Sequence, residues 1–126
     1  MGTRFVCTRE APVHPAIKQA LVDASERDTR LMFRTLKNTA RVFANAIADE
    51  VVSLERRGAG FDALRPLVTG ARGKAALASG EIDSGVVWAG QVIGLIDDIP
   101  SCAALLERMV AECKVSLATA CDVFTA

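Results

Sequence analysis

Met1-Gly2-Thr3-Arg4-Phe5 opens the sequence of 126 residues and places a glycine and a small hydroxyl residue before a short mixed run. A glycine and a threonine that lead into a short helix can point free backbone N–H groups at a phosphate. The glycine leaves room for the phosphate, and the threonine hydroxyl can donate one more hydrogen bond. Because Gly-Thr pairs are common, this stretch by itself predicts only a candidate anion-binding turn.

Apolar spacing after this turn predicts a mainly helical chain. Pro15 suits the first turn of a helix over residues 16–24, and residues 28–35 are expected to be an extended connector. The clearest predicted helix covers residues 38–57, because its apolar side chains recur three and four residues apart, from Ala40 to Leu54. Glycines then end it.

The second half of the chain is predicted to hold shorter helices and one long one. Asp62 can cap a short helix that Gly70 and Gly73 break, and a second short helix over residues 74–78 ends at Gly80. Residues 86–99 are almost wholly apolar and are expected to be buried. Ser101 is a good N-cap for the last helix. The predicted buried face of that helix consists of Cys102, Leu106, Met109, Cys113 and Leu117.

Composition sets limits on the class of protein. The chain has 15 basic and 15 acidic residues and is 51% apolar, which predicts one domain with a sizeable core. A net charge of zero gives no overall field to attract nucleic acid or an anionic membrane. No apolar run is long enough to cross a bilayer, so we expect a soluble, cytoplasmic chain. Four cysteines without a CxxC pair predict no metal site and reduced, structural thiols at Cys7, Cys102, Cys113 and Cys121.

A second candidate ligand edge is Trp88-Ala89-Gly90-Gln91, where two small residues lie between the only tryptophan and a neutral amide. A buried tryptophan with small neighbours for close packing explains the same pattern, and the local residues favour that alternative. His14 is best interpreted as a helix cap, and Asp97-Asp98 as a solvated loop. We predict no catalytic residue in this chain, because no nucleophile–base pair or metal cluster can be assembled.

Read together, several stretches of the chain resemble the nitronate monooxygenase (2-nitropropane dioxygenase) family. They appear in the family's order and cover nearly the whole chain up to about residue 114. The matching stretches are Met1-Gly2-Thr3-Arg4-Phe5, Glu10-Ala11-Pro12-Val13-His14-Pro15, Asp28-Thr29-Arg30-Leu31, Arg34-Thr35-Leu36-Lys37-Asn38-Thr39-Ala40-Arg41-Val42 and Trp88-Ala89-Gly90-Gln91-Val92-Ile93-Gly94-Leu95-Ile96-Asp97-Asp98-Ile99-Pro100.

The resemblance implies a fold and a cofactor. Family members bind flavin mononucleotide (FMN) on a (β/α)8 TIM barrel with an added helical region, and such barrels carry a phosphate site near the last strands. It implies that this chain is the C-terminal part of such a protein, without the N-terminal barrel strands. Residues 1–36 would be the end of the barrel, and residues 37–126 the added helical region. Met1, Gly2 and Thr3 would hold the flavin phosphate.

The resemblance also implies a reaction, oxidation of an alkyl nitronate with oxygen. Trp88, Ala89, Gly90 and Gln91 would line the substrate pocket, with Trp88 at a position where many members have serine. We expect a fragment that is inactive alone and prone to self-association. Two alternatives stay open: a flavin-dependent enoyl reductase on the same barrel, and a helical interaction module without catalysis.

Overall fold

The computed structural model describes residues 2–125, and it describes side chains as far as residue 124. The described chain is mainly helical, as predicted, with one small sheet. In chain order the elements are α1 (Gly2–Val6), α2 (Pro15–Val22), β1 (Thr29–Met32), β2 (Ala40–Phe43), α3 (Ala46–Arg56), α4 (Phe61–Leu64), α5 (Gly70–Ser79), a first 3₁₀ helix (Ile82–Ser84), a second 3₁₀ helix (Gln91–Leu95) and α6 (Cys102–Thr125).

His14 and Pro15 start α2 as the sequence predicted. Pro15 lies at the first helical position, and Nδ1 of His14 accepts a hydrogen bond of 3.2 Å from the backbone N–H of Ala16. This contact satisfies one of the N–H groups that the first turn leaves open. The interpretation of His14 as a capping residue is therefore confirmed, and the helix ends at Val22, two residues earlier than predicted.

The predicted helix over residues 38–57 is wrong at its beginning, because residues 40–43 form β2. This strand pairs antiparallel with β1, with Thr29 opposite Phe43 and Met32 opposite Ala40, so the predicted extended connector supplies its partner. A spacing of three between Ala40 and Phe43 fits a helix, but it does not exclude a strand. Asn45 marks the true start of α3: its Oδ1 accepts a hydrogen bond of 2.9 Å from the N–H of Ala48.

Glu55, near the end of α3, organises the hairpin loop that joins the two strands. Its carboxylate accepts hydrogen bonds from the N–H of Phe33 at 2.9 Å and the hydroxyl of Thr35 at 2.9 Å, and the residue is buried. Phe33 has a φ of 61°, in the left-handed region that costs energy for any residue with a Cβ atom. The buried carboxylate therefore holds this loop in a conformation that it would not adopt by itself.

Two glycines that were predicted to end helices lie inside α5. Thr69 caps this helix, and Gly70 and Gly73 lie in its first turns. A Cβ atom on Gly73 would lie 3.1 Å from the carbonyl oxygen of Val86, so glycine here permits close packing. Gly80 ends the helix as predicted, with a φ of 87°.

Residues 86–99 are only partly buried, contrary to the prediction. Val87, Ala89, Ile93 and Ile96 point into the core, whereas Leu95 is 83% exposed. The segment is not one regular element, so its apolar side chains do not share one face.

The long helix α6 begins as predicted, since Ser101 Oγ accepts a hydrogen bond of 3.2 Å from the N–H of Ala104. Its predicted buried face is wrong. Leu105 is buried, but Leu106, Cys113 and Leu117 are exposed, and Cys102 and Met109 are half-buried. Cys121 is exposed too, so the expectation of structural thiols holds for Cys7, which is buried, and fails for the two cysteines of the distal helix.

Two hydrophobic clusters form the core. The first lies between α1, α2 and the 87–96 segment and consists of Cys7, Ile17, Leu21, Val87, Ala89, Ile93 and Ile96. The second lies between the sheet and α3 and consists of Met32, Val42, Ile47, Ala48, Val51, Leu64 and Val86. Neighbouring residues Val86 and Val87 belong to different clusters, so the segment they begin joins the two halves of the core.

Replacement of Asn45 by alanine is expected to lower the free energy of unfolding by about 2–4 kcal/mol, from the lost cap and the unsatisfied carbonyls. Asn45 is buried, and its Nδ2 also donates to the carbonyl oxygens of Ile82 and Gly85. Urea denaturation measures the change. Asn38→Ala, at an exposed position, is the control and should change stability by less than about 0.5 kcal/mol. Equal effects of the two variants would contradict this role for Asn45.

Candidate functional site

The two stretches that the sequence singled out as ligand-binding meet in the structure. Thr3 lies in the first turn of α1, and its Oγ1 accepts a hydrogen bond of 3.0 Å from the backbone N–H of Gly90. The residues are 87 positions apart in the chain. A Cβ atom on Gly90 would lie 3.7 Å from the same oxygen, in ordinary contact. One hydroxyl therefore connects the Gly-Thr turn to the Trp88–Gln91 stretch.

Gly2 lies at the open side of this junction. It is exposed, and apart from its chain neighbours and the backbone of α1, no atom of the described residues lies within 4 Å of the position that a Cβ atom would take. The predicted turn is already helical at this residue, since α1 begins at Gly2. Met1, the third residue of the predicted phosphate site, lies outside the described residues.

Arg4 fixes α1 to the loop before α6. The guanidinium group is buried; its Nη1 donates a hydrogen bond of 2.9 Å to the carbonyl oxygen of Asp98, and Nη2 forms an ion pair with the Asp98 carboxylate. Arg108 of α6 approaches the same carboxylate with two N–H groups, at 2.9 and 3.1 Å. Hydrogen bonds from Arg108, and the charges of both arginines, lower the pKa of Asp98 below its usual value.

The next residues of the chain add further contacts to the same region. The N–H of Arg9 donates a hydrogen bond of 2.9 Å to the carbonyl oxygen of Pro100, and both carboxylate oxygens of Glu10 lie 3.0 Å from the N–H of Cys102. That N–H is one of the open donors at the start of α6. Its hydrogen bond lowers the pKa of Glu10. The contacts made by Thr3, Arg4, Arg9 and Glu10 together form what we call the clamp.

Lys18 supports the clamp from inside. Its side chain is buried, and Nζ donates hydrogen bonds to the carbonyl oxygens of Thr8 at 2.6 Å and Arg9 at 3.3 Å. Cys7 lies nearby, and burial raises the pKa of its thiol, partly offset by the charges of Arg4 and Lys18. The thiol is therefore poorly suited to act as a nucleophile.

Trp88 is 59% exposed, so the alternative of a buried tryptophan is wrong. A β-bridge to Val42 holds its backbone beside β2, and Trp88 lines a cavity of about 330 Å³ together with Phe33, Lys74 and the first turn of α5. Ala89 is buried behind it, and Gln91 is exposed at the start of the second 3₁₀ helix. Trp88 thus forms part of the wall of a cavity, and Gln91 is exposed to solvent.

Ion pairing is the part of this region that the sequence interpretation missed. Asp98 was expected in a solvated loop, yet it binds two arginines. One signal was available in the sequence: Arg4 follows the Gly-Thr turn and directly precedes apolar Phe5 and Val6. A charged side chain beside residues that become buried needs a partner. The position of that partner, 94 residues away, had no local signal.

Candidate metal sites and membrane-spanning helices are absent from residues 2–125, the part of the chain that the structure describes. No group of three or more His, Cys, Asp or Glu side chains in this part of the chain could hold a metal ion. None of its helices is both long enough and apolar enough to cross a membrane.

Comparison with known proteins gives a consistent result. The sequence profile of a family described as NMO: Nitronate monooxygenase matches residues 1–112. A probable nitronate monooxygenase of Bacillus subtilis is 29% identical over 112 residues, which covers 89% of this chain and 32% of that protein. A structure of FabK from Thermotoga maritima superposes with a TM-score of 0.85 at 31% identity, over 94% of this chain and 37% of that chain.

A third similar protein has a different name. The (3aS,4S,5R,7aS)-5-hydroxy-7a-methyl-1-oxo-octahydro-1H-indene-4-carboxyl-CoA dehydrogenase of Mycobacterium tuberculosis is 27% identical over 157 aligned positions, which cover 95% of this chain and 44% of that protein. The chain therefore spans less than half the length of each of these relatives.

Replacement of Asp98 by asparagine is expected to weaken the dependence of stability on acid pH. The pKa of Asp98 is lowered on folding, so its contribution is present above the unfolded pKa of about 4 and is lost as the pH falls through the folded pKa. Melting temperatures between neutral and strongly acid pH measure the effect. The Asp98→Asn variant should lose less stability on acidification than the parent, with Asp97→Asn as the exposed control. A parent and an Asp98→Asn variant with parallel curves would contradict the ion-pair network.

Proposed function

We propose that this chain, which belongs to the nitronate monooxygenase family, forms part of the flavin site of an oxidoreductase, with Gly2 and Thr3 at the flavin phosphate. The hydrogen bond of 3.0 Å between Thr3 Oγ1 and the N–H of Gly90 carries the proposal. It joins the turn predicted to bind phosphate to the stretch predicted to bind substrate. A site that binds a cofactor and a substrate together needs its two parts to be adjacent in this way.

The residues present fit a phosphate group. A threonine hydroxyl has one donor and two acceptor sites. In this structure it accepts from Gly90, so its own proton remains available for a phosphate oxygen. Open space around Gly2 would let an anion approach the backbone N–H groups at the start of α1. Met1 was predicted to share this role.

The substrate side would be formed by Trp88, Ala89, Gly90 and Gln91. FMN, when bound, would supply the electron-transfer chemistry of the reaction, and the chain would help to position it. Trp88 offers an aromatic wall in place of the hydroxyl that many family members carry. The Gln91 amide can donate and accept hydrogen bonds. The leading reaction is oxidation of an alkyl nitronate with oxygen, in agreement with the name of the Bacillus subtilis relative.

A second candidate reaction is the reduction or dehydrogenation of a thioester, such as that of an enoyl reductase. The name of the relative from Mycobacterium tuberculosis, a carboxyl-CoA dehydrogenase, favours it. In either case residues 1–36 would close a flavin-binding barrel, and residues 37–126 would be the helical region added to it. The protein would act in the cytoplasm.

The purified chain is expected to carry little or no flavin, because one phosphate turn supplies few of the contacts that a flavin needs. Added FMN should nevertheless bind more tightly than riboflavin, which lacks the phosphate. One charge-assisted hydrogen bond contributes about 1.5–3 kcal/mol, so the difference should be at least about tenfold. Fluorescence titration with both flavins measures it.

Matched variants at residue 3 separate the hydroxyl from the fold. Thr3→Val removes the hydroxyl at nearly constant volume and should abolish the preference for FMN, whereas Thr3→Ser should retain it. Circular dichroism verifies that both variants fold. Equal affinities for FMN and riboflavin in the parent chain, or a preference that survives in Thr3→Val, would contradict the proposed phosphate contact.

Self-association is a further part of the proposal, and α6 provides the surface. Exposed apolar side chains recur along it at alternating spacings of four and three residues, which is the pattern of a coiled-coil seam. The members of this stripe are Leu106, Val110, Cys113, Leu117, Ala120 and Phe124. A second copy of the chain is the partner that such a repeat fits.

Replacement of Leu117 by glutamate should therefore shift the chain towards the monomer, because it places a charge in the centre of the stripe. Sedimentation velocity at several protein concentrations measures the change. Ala118→Glu adds the same charge at an exposed position outside the stripe and should leave association unchanged. A parent chain that stays monomeric at all concentrations would contradict the partner proposed for α6.

A further inference from the structure

A second cavity, of about 490 Å³, lies beside β1 and away from the clamp. The strand, the hairpin loop and the last turn of α3 surround it. Four arginines line it, namely Arg30, Arg34, Arg41 and Arg56. Neither Thr3 nor Gly90 belongs to its lining, so this cavity is separate from the proposed flavin site.

The cavity has a strong excess of positive charge. Glu55 is the only carboxylate in its lining, so four guanidinium groups and one carboxylate leave a net charge of +3 (4 − 1). The Glu55 oxygens are engaged by the N–H of Phe33 and by the hydroxyl and N–H of Thr35, at 2.9 to 3.3 Å. The carboxylate therefore stabilises the loop and forms no ion pair with the four arginines of the lining.

Two of the arginines are held in place by the fold. Nε of Arg30 forms an ion pair of 2.8 Å with Asp49 of α3, and Nη1 of Arg41 donates a hydrogen bond of 2.7 Å to the hydroxyl of Thr29. Each guanidinium group has five N–H donors, so both keep donors for a ligand. Arg34 and Arg56 make no side-chain hydrogen bond or ion pair with the described residues and are exposed. Fixed and free guanidinium groups thus border one cavity.

We propose that this cavity binds a small organic anion that carries two or more phosphate groups. Guanidinium groups match phosphate oxygens through paired N–H donors, and several phosphates are needed to balance the charge. The volume lies within the range of small-molecule sites. A nucleic acid fits less well, because the positive charge is confined to a cavity in a chain of zero net charge. A nucleoside diphosphate and the phosphate-bearing part of coenzyme A are both anions of this kind, with two or more phosphate groups.

Calorimetric titration of the chain at low salt tests the site, with inorganic pyrophosphate, ADP, coenzyme A and adenosine as probes. Pyrophosphate, ADP and coenzyme A should bind, adenosine should not, and affinity should fall as salt is added. If coenzyme A binds more tightly than ADP, the ligand is a coenzyme A derivative. If ADP binds more tightly, the ligand is a nucleoside diphosphate.

Charge-matched variants show where the anion binds. The Arg34→Gln/Arg56→Gln double variant should lose at least about tenfold in affinity for pyrophosphate, from the loss of two charged donors. The Arg65→Gln/Lys114→Gln double variant changes the net charge equally at exposed positions outside the cavity and should bind as the parent does. Equal losses in both double variants, no binding of pyrophosphate, or tighter binding of an acidic peptide than of pyrophosphate would overturn the assignment.

Discussion

The arrangement of this chain depends most on the ion pairs that the Asp98 carboxylate forms with Arg4 and Arg108. The carboxylate joins α1, the loop before α6 and α6 itself through one charged group. Arg4 is buried, so removal of its partner would leave an uncompensated charge, which is far more costly than the loss of a surface pair. Together with the hydrophobic cluster between α1, α2 and the 87–96 segment, this network holds the first helix where Thr3 meets Gly90.

The sequence predicted the parts of the chain whose structure is decided locally. His14-Pro15, Ser101 and Gly80 act through neighbouring backbone groups, and all three mark helix ends as predicted. The prediction failed where partners are distant. Strand β2 looked helical because its pairing with β1 is not visible in its own spacing, and Gly73 looked like a helix breaker because its contact with Val86 lies outside the local sequence.

The candidate site shows the same division. The types of residue in the Gly-Thr turn and the Trp88–Gln91 stretch indicated ligand binding, but their contact at 3.0 Å follows from tertiary packing alone. The exposure of Trp88 and of the distal α6 stripe was also beyond prediction, since apolar composition indicates burial without saying what covers the surface. This chain spans less than half of its relatives, and their profile ends at residue 112, within α6.

Oxygen uptake by the full-length native protein, rather than by these 126 residues alone, tests the central claim most directly. With FMN present, an alkyl nitronate should support oxygen consumption, and an enoyl thioester with a reduced nicotinamide cofactor should not be turned over. Flavin-dependent turnover of the thioester alone would select the second reaction. A protein that binds no FMN and consumes no oxygen with the nitronate would contradict the assignment of Gly2 and Thr3 to a flavin site.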